Sequence, residues 1–484
     1  MLFNSLTFIT FLSIFVVIFW LLNYPKFHKY FIFFSSLIFY GFWRIDFLPL
    51  LLFSVIFNYI AGFLISESKE RKFIYLSFAV FINLLILFYF KYLIFFTDSI
   101  IGISLLFGID LKNNFNFYYI ILPLGISFYT FQAISYIVDI YRQNIKVEKD
   151  FLFYASYITF FPQLVAGPIL RASQVIPQLK TIKKINLIEI FEGFKRVLLG
   201  LCLKVFFADN IAIFVNDGFS TPAVDLSAID VWTLAFLFGF QIYFDFSAYS
   251  HIAIGTARML GITFPENFNY PYLSSSPKEF WKRWHISLSS WIRDYLYLPL
   301  TNYSKKYSLD NFSDGISKIT SEKRFVPLII TWSLMGLWHG SNWTFLLWGV
   351  LHALIIQLYR IFSKINLKIN DNVKRIIGWL ITLPLIMITW ISFRANNIGD
   401  AFTMYLKILN PYAYFEMNLR ENIYLVTTII FLITLSYGLF VKFFNKSKFK
   451  KNNKFFTNLI VYGVSIPILI IFLRPVNQFI YFQF

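Results

Sequence analysis

About twelve apolar runs divide the chain, at residues 5–22, 30–43, 47–65, 73–95, 117–138, 198–215, 231–257, 326–339, 343–360, 376–392, 423–441 and 456–473. Each meets or approaches the roughly 20 residues that carry a helix across the hydrocarbon of a bilayer. Backbone placed there must satisfy its own hydrogen bonds, so the runs predict helices, with re-entrant pieces where a run is short or interrupted. The expected class is an all-α polytopic membrane protein with about 11–13 crossings. No soluble segment is long enough to fold alone, so residues 1–484 read as one membrane domain. Composition agrees. With 58% hydrophobic and 14% charged residues, an ordinary soluble enzyme, a disordered chain and a collagen-like fibre are excluded. The first run lacks a basic leader and a small-residue cleavage site, which predicts a retained helix rather than a signal peptide.

The charges sort by loop. There are 43 Lys and Arg against 25 Asp and Glu, a net +18. The surplus gathers in 24–29, 66–72, 139–150, 171–184, 258–325, 360–375 and 442–454, whereas 97–116, 216–230 and 393–400 are neutral or acidic. The positive-inside rule makes the basic loops cytoplasmic and puts both termini outside. The run 442–454 reads chiefly as this topology signal, with anionic-lipid binding as the lesser reading. Nucleic acid is a poor partner for charge distributed in this way. The 63 Phe residues, with heavy Ile, Lys and Asn, resemble translation of an AT-rich genome and give no reason to infer a stacking surface. The single cysteine, Cys202, excludes an internal disulfide and reads as an apolar filler.

Two stretches depart from simple spans. In 151–184, Pro162, Gly167 and Pro168 are expected to break a helix within a turn or two. In 278–298, Trp281, Trp284, Leu288, Trp291 and Tyr295 recur at three- and four-residue spacing, with Lys278, Lys282, Arg283 and Arg293 mostly off that stripe. This predicts an amphipathic helix at the cytoplasmic interface.

Polar groups inside apolar runs are costly and therefore candidates for function. Gln241, Asp245, Ser247, Tyr249, Ser250 and His251 fall in one span, and His339, Ser341, Asn342 and His352 in two others. Asp245 and Tyr249 share a helical face, either to pack helices or to bind. His352 reads as a hydrogen-bonded core residue. His339 is flanked by Gly336, Gly340, Trp338 and Trp343, so backbone can approach and indoles can wall a dry pocket, where an imidazole serves as a general base. His285, beside Trp284, suits interfacial anchoring or site chemistry equally. The histidines lack metal-ligand spacing, and no Walker, dinucleotide or nucleophile-elbow motif is present. The tail Phe479-Ile480-Tyr481-Phe482-Gln483-Phe484 reads as an aromatic anchor or as a mobile nucleophile at Tyr481.

Four blocks, FPQLVAGPILR, YFDFSAYSHIAIG, FWKRWHISLSSWIRDYLYLPL and LWHGSNWTFLLWG, resemble the signature segments of the bacterial membrane-bound O-acyltransferases. The branch is that of the alginate and peptidoglycan O-acetyltransferases, with the teichoic acid D-alanyl transferases more distant. The resemblance covers about 120–395, the expected catalytic core, and the tail 479–484. It implies a ring of tilted helices around a central funnel, with interfacial and re-entrant helices. The family's two histidines correspond to His339 and His285, and its tail tyrosine to Tyr481. Trp281, Arg283, Trp284, Ser287, Trp291, Arg293, Asp245, Tyr249, Trp338 and Asn342 are then the expected donor- and acceptor-binding residues. Ala248 and His251 stand where relatives commonly carry Gly and Asp.

The resemblance further implies acetyl-CoA as the donor, no tightly bound cofactor and no metal. It also implies a bacterial inner-membrane location and a periplasmic esterase-like (SGNH) partner that places the acyl group on a polysaccharide. Peptidoglycan is the first expectation, another exopolysaccharide such as alginate the second, and D-alanylation of a surface polymer the third. A secondary transporter is the rival from another class, although no paired halves are visible.

Overall fold

A computed structural model describes residues 1–22, 25–111, 120–165, 167–181, 185–301, 325–364 and 370–444, with a few positions between 462 and 471. The described residues are overwhelmingly helical and include no strand. Ten of the first eleven apolar runs lie largely on helices; the run 117–138 is helical only from Ile126 among its described residues, and the twelfth falls mostly outside the described residues. Six helical stretches are long and apolar enough to cross a bilayer: Ile45–Glu67, Lys72–Leu106, Leu187–Ser220, Ala228–Met259, Trp343–Phe362 and Asp371–Arg394. Shorter apolar helices occupy Leu6–Leu21, Phe325–His339 and Glu421–Ser436. The chain is a multi-pass membrane protein.

Helix ends follow backbone chemistry rather than hydropathy. Residues 97–106, read as loop from the sequence, continue the helix to Leu106. It stops where Gly108 turns left-handed (φ +74°) and the N–H groups of Gly108 and Ile109 donate back to Leu105 and Ser104. The same closure ends Ala228–Met259 at Gly261 (φ +75°).

Internal contacts divide the chain into two compact units, Met1–Val197 with Ile252–Pro265, and Leu198–His251 with Glu266–Phe484. In the first, Ile45–Glu67 turns its smaller and more polar face inward. Ser54, Asn58, Ala61 and Gly62 are buried, and Phe53, Ile56, Ile60 and Leu64 are exposed. That inversion suits lipid, which offers helices no hydrophobic reason to associate and leaves close packing and polar pairs to hold them. Asn58 and Asn83 supply such a pair, each amide donating to the other's carbonyl at 3.0 and 2.7 Å.

The 151–184 stretch breaks one step earlier than its prolines suggest. Phe151–Thr159 is capped by the Asp150 carboxylate, the chain turns at Phe160, and Pro162 sits in the first turn of Phe161–Leu164. Proline lacks an N–H that the first turn would leave unpaired, so it starts this helix instead of ending the previous one.

In the second unit, Phe325–His339 and Trp343–Phe362 form a tight helical hairpin. A Cβ on Gly336 would lie 2.2 Å from the Phe345 carbonyl oxygen, and one on Gly349 2.2 Å from that of Trp332. The two backbones therefore touch. Asn342 caps the second helix, its Oδ1 accepting from Thr344 N–H at 3.1 Å.

The expected single amphipathic helix over 278–298 is corrected. It is Pro277–Trp281, a left-handed residue at His285 (φ +39°), Ile286–Ile292, and then a π-turn over Arg293–Tyr297. Its stripe is packed inside the unit rather than laid on a membrane surface: Trp281, Trp284, Leu288 and Trp291 are all buried.

Candidate active site

His339 is the last residue of its helix and is buried. The backbone contact at Gly336 and Gly349 brings the next helix close enough for Trp348 to meet the imidazole edge-to-face at 5.0 Å. Phe393 stands at 5.3 Å and Trp338 at 5.0 Å. The residue expected as a base therefore sits in an aromatic, water-poor surround.

His285 also packs on Trp338, 6.2 Å from that indole, and on Phe246 at 4.6 Å. Its left-handed backbone is imposed by a neighbouring strap. Asn269 N–H donates to Arg283 O and Ile286 N–H to Asn267 O. The Asn267 side chain accepts from Ser287 N–H and Oγ–H at 3.2 and 2.9 Å and donates to Ser250 Oγ at 3.2 Å. His285 Nδ1 accepts from Leu288 N–H at 3.3 Å, which leaves the proton of the neutral ring on Nε2. A helix with no glycine or proline between 278 and 298 gives no local sign of this break; the distant Asn267 makes it.

The remaining expected residues divide by environment. Trp281 packs on Trp332 at 4.5 Å and on His352 at 5.0 Å, and Trp284 on Trp390 at 5.1 Å. Trp291 stacks on Tyr295. Ser287 belongs to the Asn267 network, and Asn342 is engaged as a helix cap. Arg283 pairs with Glu279 at 2.7 Å and Arg293 with Asp294 at 2.5 Å, both more open to solvent than the tryptophans. Burial raises the Glu279 carboxyl, but Ser275 N–H and Oγ–H and the Arg283 guanidinium outweigh it and hold the group below its usual range. Tyr249 is buried on the same helix as Asp245, and His251 is half-buried. Tyr481, Phe479 and Phe484 lie outside the described residues.

Asp245 has a partner that sequence reading missed. Lys204 Nζ lies 2.6 Å from Asp245 and 2.8 Å from Asp209, with Lys204 and Asp245 almost fully buried. Lys204 is the second residue of a π-turn, Leu203–Ala208, which closes with Asp209 N–H donating to Lys204 O. In an ordinary α-helix residues five apart point away from each other; the wider turn brings Lys204 and Asp209 onto one face. A lysine inside LCLKVFF, with an aspartate in another span, was the available signal. Among the described residues no group of three or more His, Cys, Asp or Glu side chains is placed to hold a metal ion.

A family model for the membrane-bound O-acyltransferases matches residues 142–395, which include Asp245, His285 and His339. The chain belongs to the membrane-bound O-acyltransferase family. This O-acyltransferase is 38% identical over 377 residues to a protein of Azotobacter vinelandii named "Probable alginate O-acetylase", covering 77% of this chain and 70% of the relative. It is 35% identical over 413 residues to the peptidoglycan O-acetyltransferase of Helicobacter pylori, covering 80% and 73%. To the teichoic acid D-alanyltransferase of Bacillus subtilis it is 30% identical over 251 residues, covering 51% and 60%. Membership in an enzyme family sets the transporter reading aside.

Proposed function

We propose that this O-acyltransferase moves an acetyl group from acetyl-CoA at the cytoplasmic side of the bacterial inner membrane to a periplasmic esterase-like partner that O-acetylates a cell-surface polysaccharide, peptidoglycan first. The observation that carries this is the setting of His339, a buried imidazole edged by Trp348, Trp338 and Phe393, with His285 also packed on Trp338. A dry aromatic surround keeps water from competing for a thioester and strengthens every hydrogen bond made inside it. The basic loops expected on the cytoplasmic side, with Arg283 and Arg293 in the least buried part of the site, suit the phosphates of the donor.

In the proposed chemistry His339 removes the proton of an alcohol or phenol as its oxygen attacks the thioester carbonyl. The C–S bond breaks, an ester forms, and the imidazolium returns the proton to the departing thiolate. Tyr481 is the proposed first acceptor. An unperturbed phenol, with a pKa near 10, needs such a base at neutral pH, and an aryl ester remains a good donor for the partner's serine. Relatives named for alginate, peptidoglycan and teichoic acid leave exopolysaccharide acetylation and D-alanyl transfer as the other acceptor and acyl choices.

Two variants test the steps. His339→Ala, expressed at normal level, is expected to reduce polymer acetylation by about 100-fold or more, the usual scale for a lost general base; undiminished acetylation removes His339 from the mechanism. Mass spectrometry of the C-terminal peptide is expected to find an acetyl on Tyr481 that Tyr481→Phe abolishes together with polymer acetylation. Full acetylation in Tyr481→Phe cells would mean direct transfer to the partner.

A further inference from the structure

Trp348, which edges His339, also packs on His352, the histidine read from the sequence as a hydrogen-bonded core residue. It is fully buried and ringed by Trp281, Trp332 and Trp348 at 5.0, 5.4 and 4.6 Å. Its Nε2 lies 3.0 Å from Thr389 Oγ1, and that hydroxyl is also 2.7 Å from the Ile386 carbonyl oxygen. A hydroxyl has one hydrogen, and a carbonyl can only accept, so the Thr389 hydrogen goes to Ile386. Thr389 therefore accepts from His352 Nε2–H. The imidazole is neutral, with its lone pair on Nδ1.

That lone pair finds no hydrogen-bond partner among the described residues, and neither do the indole N–H groups of Trp281 and Trp348. Two of the three rings around the imidazole thus carry an unpaired donor, and the imidazole carries an unpaired acceptor. Leaving one such group buried without a partner costs free energy, and here the three groups sit on rings whose centroids are 4.6–5.9 Å apart, so one small guest that paired with all of them would relieve the cost. The valences define its class. It must donate one hydrogen bond, to Nδ1, and accept from indole N–H groups. An ammonium cannot accept, an ionised carboxylate or a phosphodiester cannot donate, and an acyl chain can do neither. A hydroxyl can do both.

We propose that Trp281, Trp348 and His352 form a binding site for a single hydroxyl group, that of an internal water or of an alcohol admitted to the unit. Because Trp348 also edges His339, an occupied site fixes the indole that walls the neighbouring imidazole. The assignment stands on hydrogen-bond valence and is independent of the acetyl-transfer reading.

The test is cryo-electron microscopy of the full chain in lipid nanodiscs, at a resolution that shows ordered water, with and without p-cresol as the alcohol probe. Discrete density within about 2.6–3.2 Å of His352 Nδ1 and of an indole Nε1 is expected. If that density is unchanged by p-cresol the hydroxyl is water; if it grows into a ring the site takes alcohols. Absence of density in both maps, with the rings placed as here, overturns the proposal. Solid-state nitrogen NMR of histidine-labelled protein is a second check. The protein has five histidines, and His352→Gln identifies the signals that belong to this one. A protonated Nε2 with a hydrogen-bonded Nδ1 is expected; a bare Nδ1 signal overturns the proposal.

Discussion

Gly336 decides how close the His339 helix can come to its neighbour. A methyl group there would sit 2.2 Å from a backbone oxygen, which has no flexible end to move away. Gly336→Ala is therefore expected to destabilise the protein by about 1–3 kcal/mol, the usual cost of overpacking, and to abolish acyl transfer while His339 itself is intact. Thermal unfolding in detergent and acetylation of the polymer in cells measure the two effects; an unchanged melting midpoint would refute the backbone contact. At the same scale, Asn267→Ala removes the side-chain oxygen that accepts twice from Ser287 and the amide that donates to Ser250, while the backbone carbonyl that accepts from Ile286 N–H stays. It is expected to cost about 1–3 kcal/mol for the groups left unpaired. The close glycines and Trp338 beside His339 were legible as a local pattern, but Trp343, expected to wall the pocket, is exposed, and the second indole comes from Trp348, further along the same helix as Trp343. Asn267 and Lys204 were not legible, since each gains its meaning from a residue about 20 or 40 positions away.

Helices as elements were the most readable feature, because hydropathy summed over twenty residues tolerates local error. Their ends and breaks were less so. The left-handed turn at His285 is set by strap hydrogen bonds, and no residue in its own segment announces it. The Pro277–Trp281 helix that carries Trp281 has Glu279 in its first turn, whose lowered carboxyl ties Ser275 and Arg283 together. A carboxyl depressed on folding contributes stability that is fully present above its ordinary value of 4.5 and is lost as pH falls through the lower folded value. Melting followed between pH 7 and pH 3 should therefore show a loss at the acid end that Glu279→Gln flattens. An identical pH dependence in the variant would exclude this clamp.

For the molecule as a whole, the inside of the first unit is held by shape and amide pairing, since lipid rewards neither face of an apolar helix. Removing Asn58 leaves the Asn83 side-chain oxygen without its donor in a nonpolar interior, while the Asn83 amide still donates to the Ala79 carbonyl. Asn58→Leu is expected to destabilise by about 1–2 kcal/mol, and the double variant Asn58→Leu/Asn83→Leu to recover part of that loss. Unfolding of the single and double variants in mixed micelles supplies the cycle; a double variant worse than both singles would contradict a reciprocal pair. The polytopic helical class was evident from the runs alone, and pairings of this kind were not, because an asparagine in a span gives no hint of which helix it will meet.

The π-turn at Leu203–Ala208 has a consequence for how the protein is made. The helix that brings Asp245 is synthesised after the one that carries Lys204, so at the moment of entry into the bilayer the lysine has no interhelical counter-charge. Asp209 supplies one from within the same segment, because the widened turn sets it beside the ammonium. The Leu187–Ser220 helix thus enters as a nearly neutral rod, and Asp209→Asn should make its insertion by the translocon less efficient even when Asp245 is untouched.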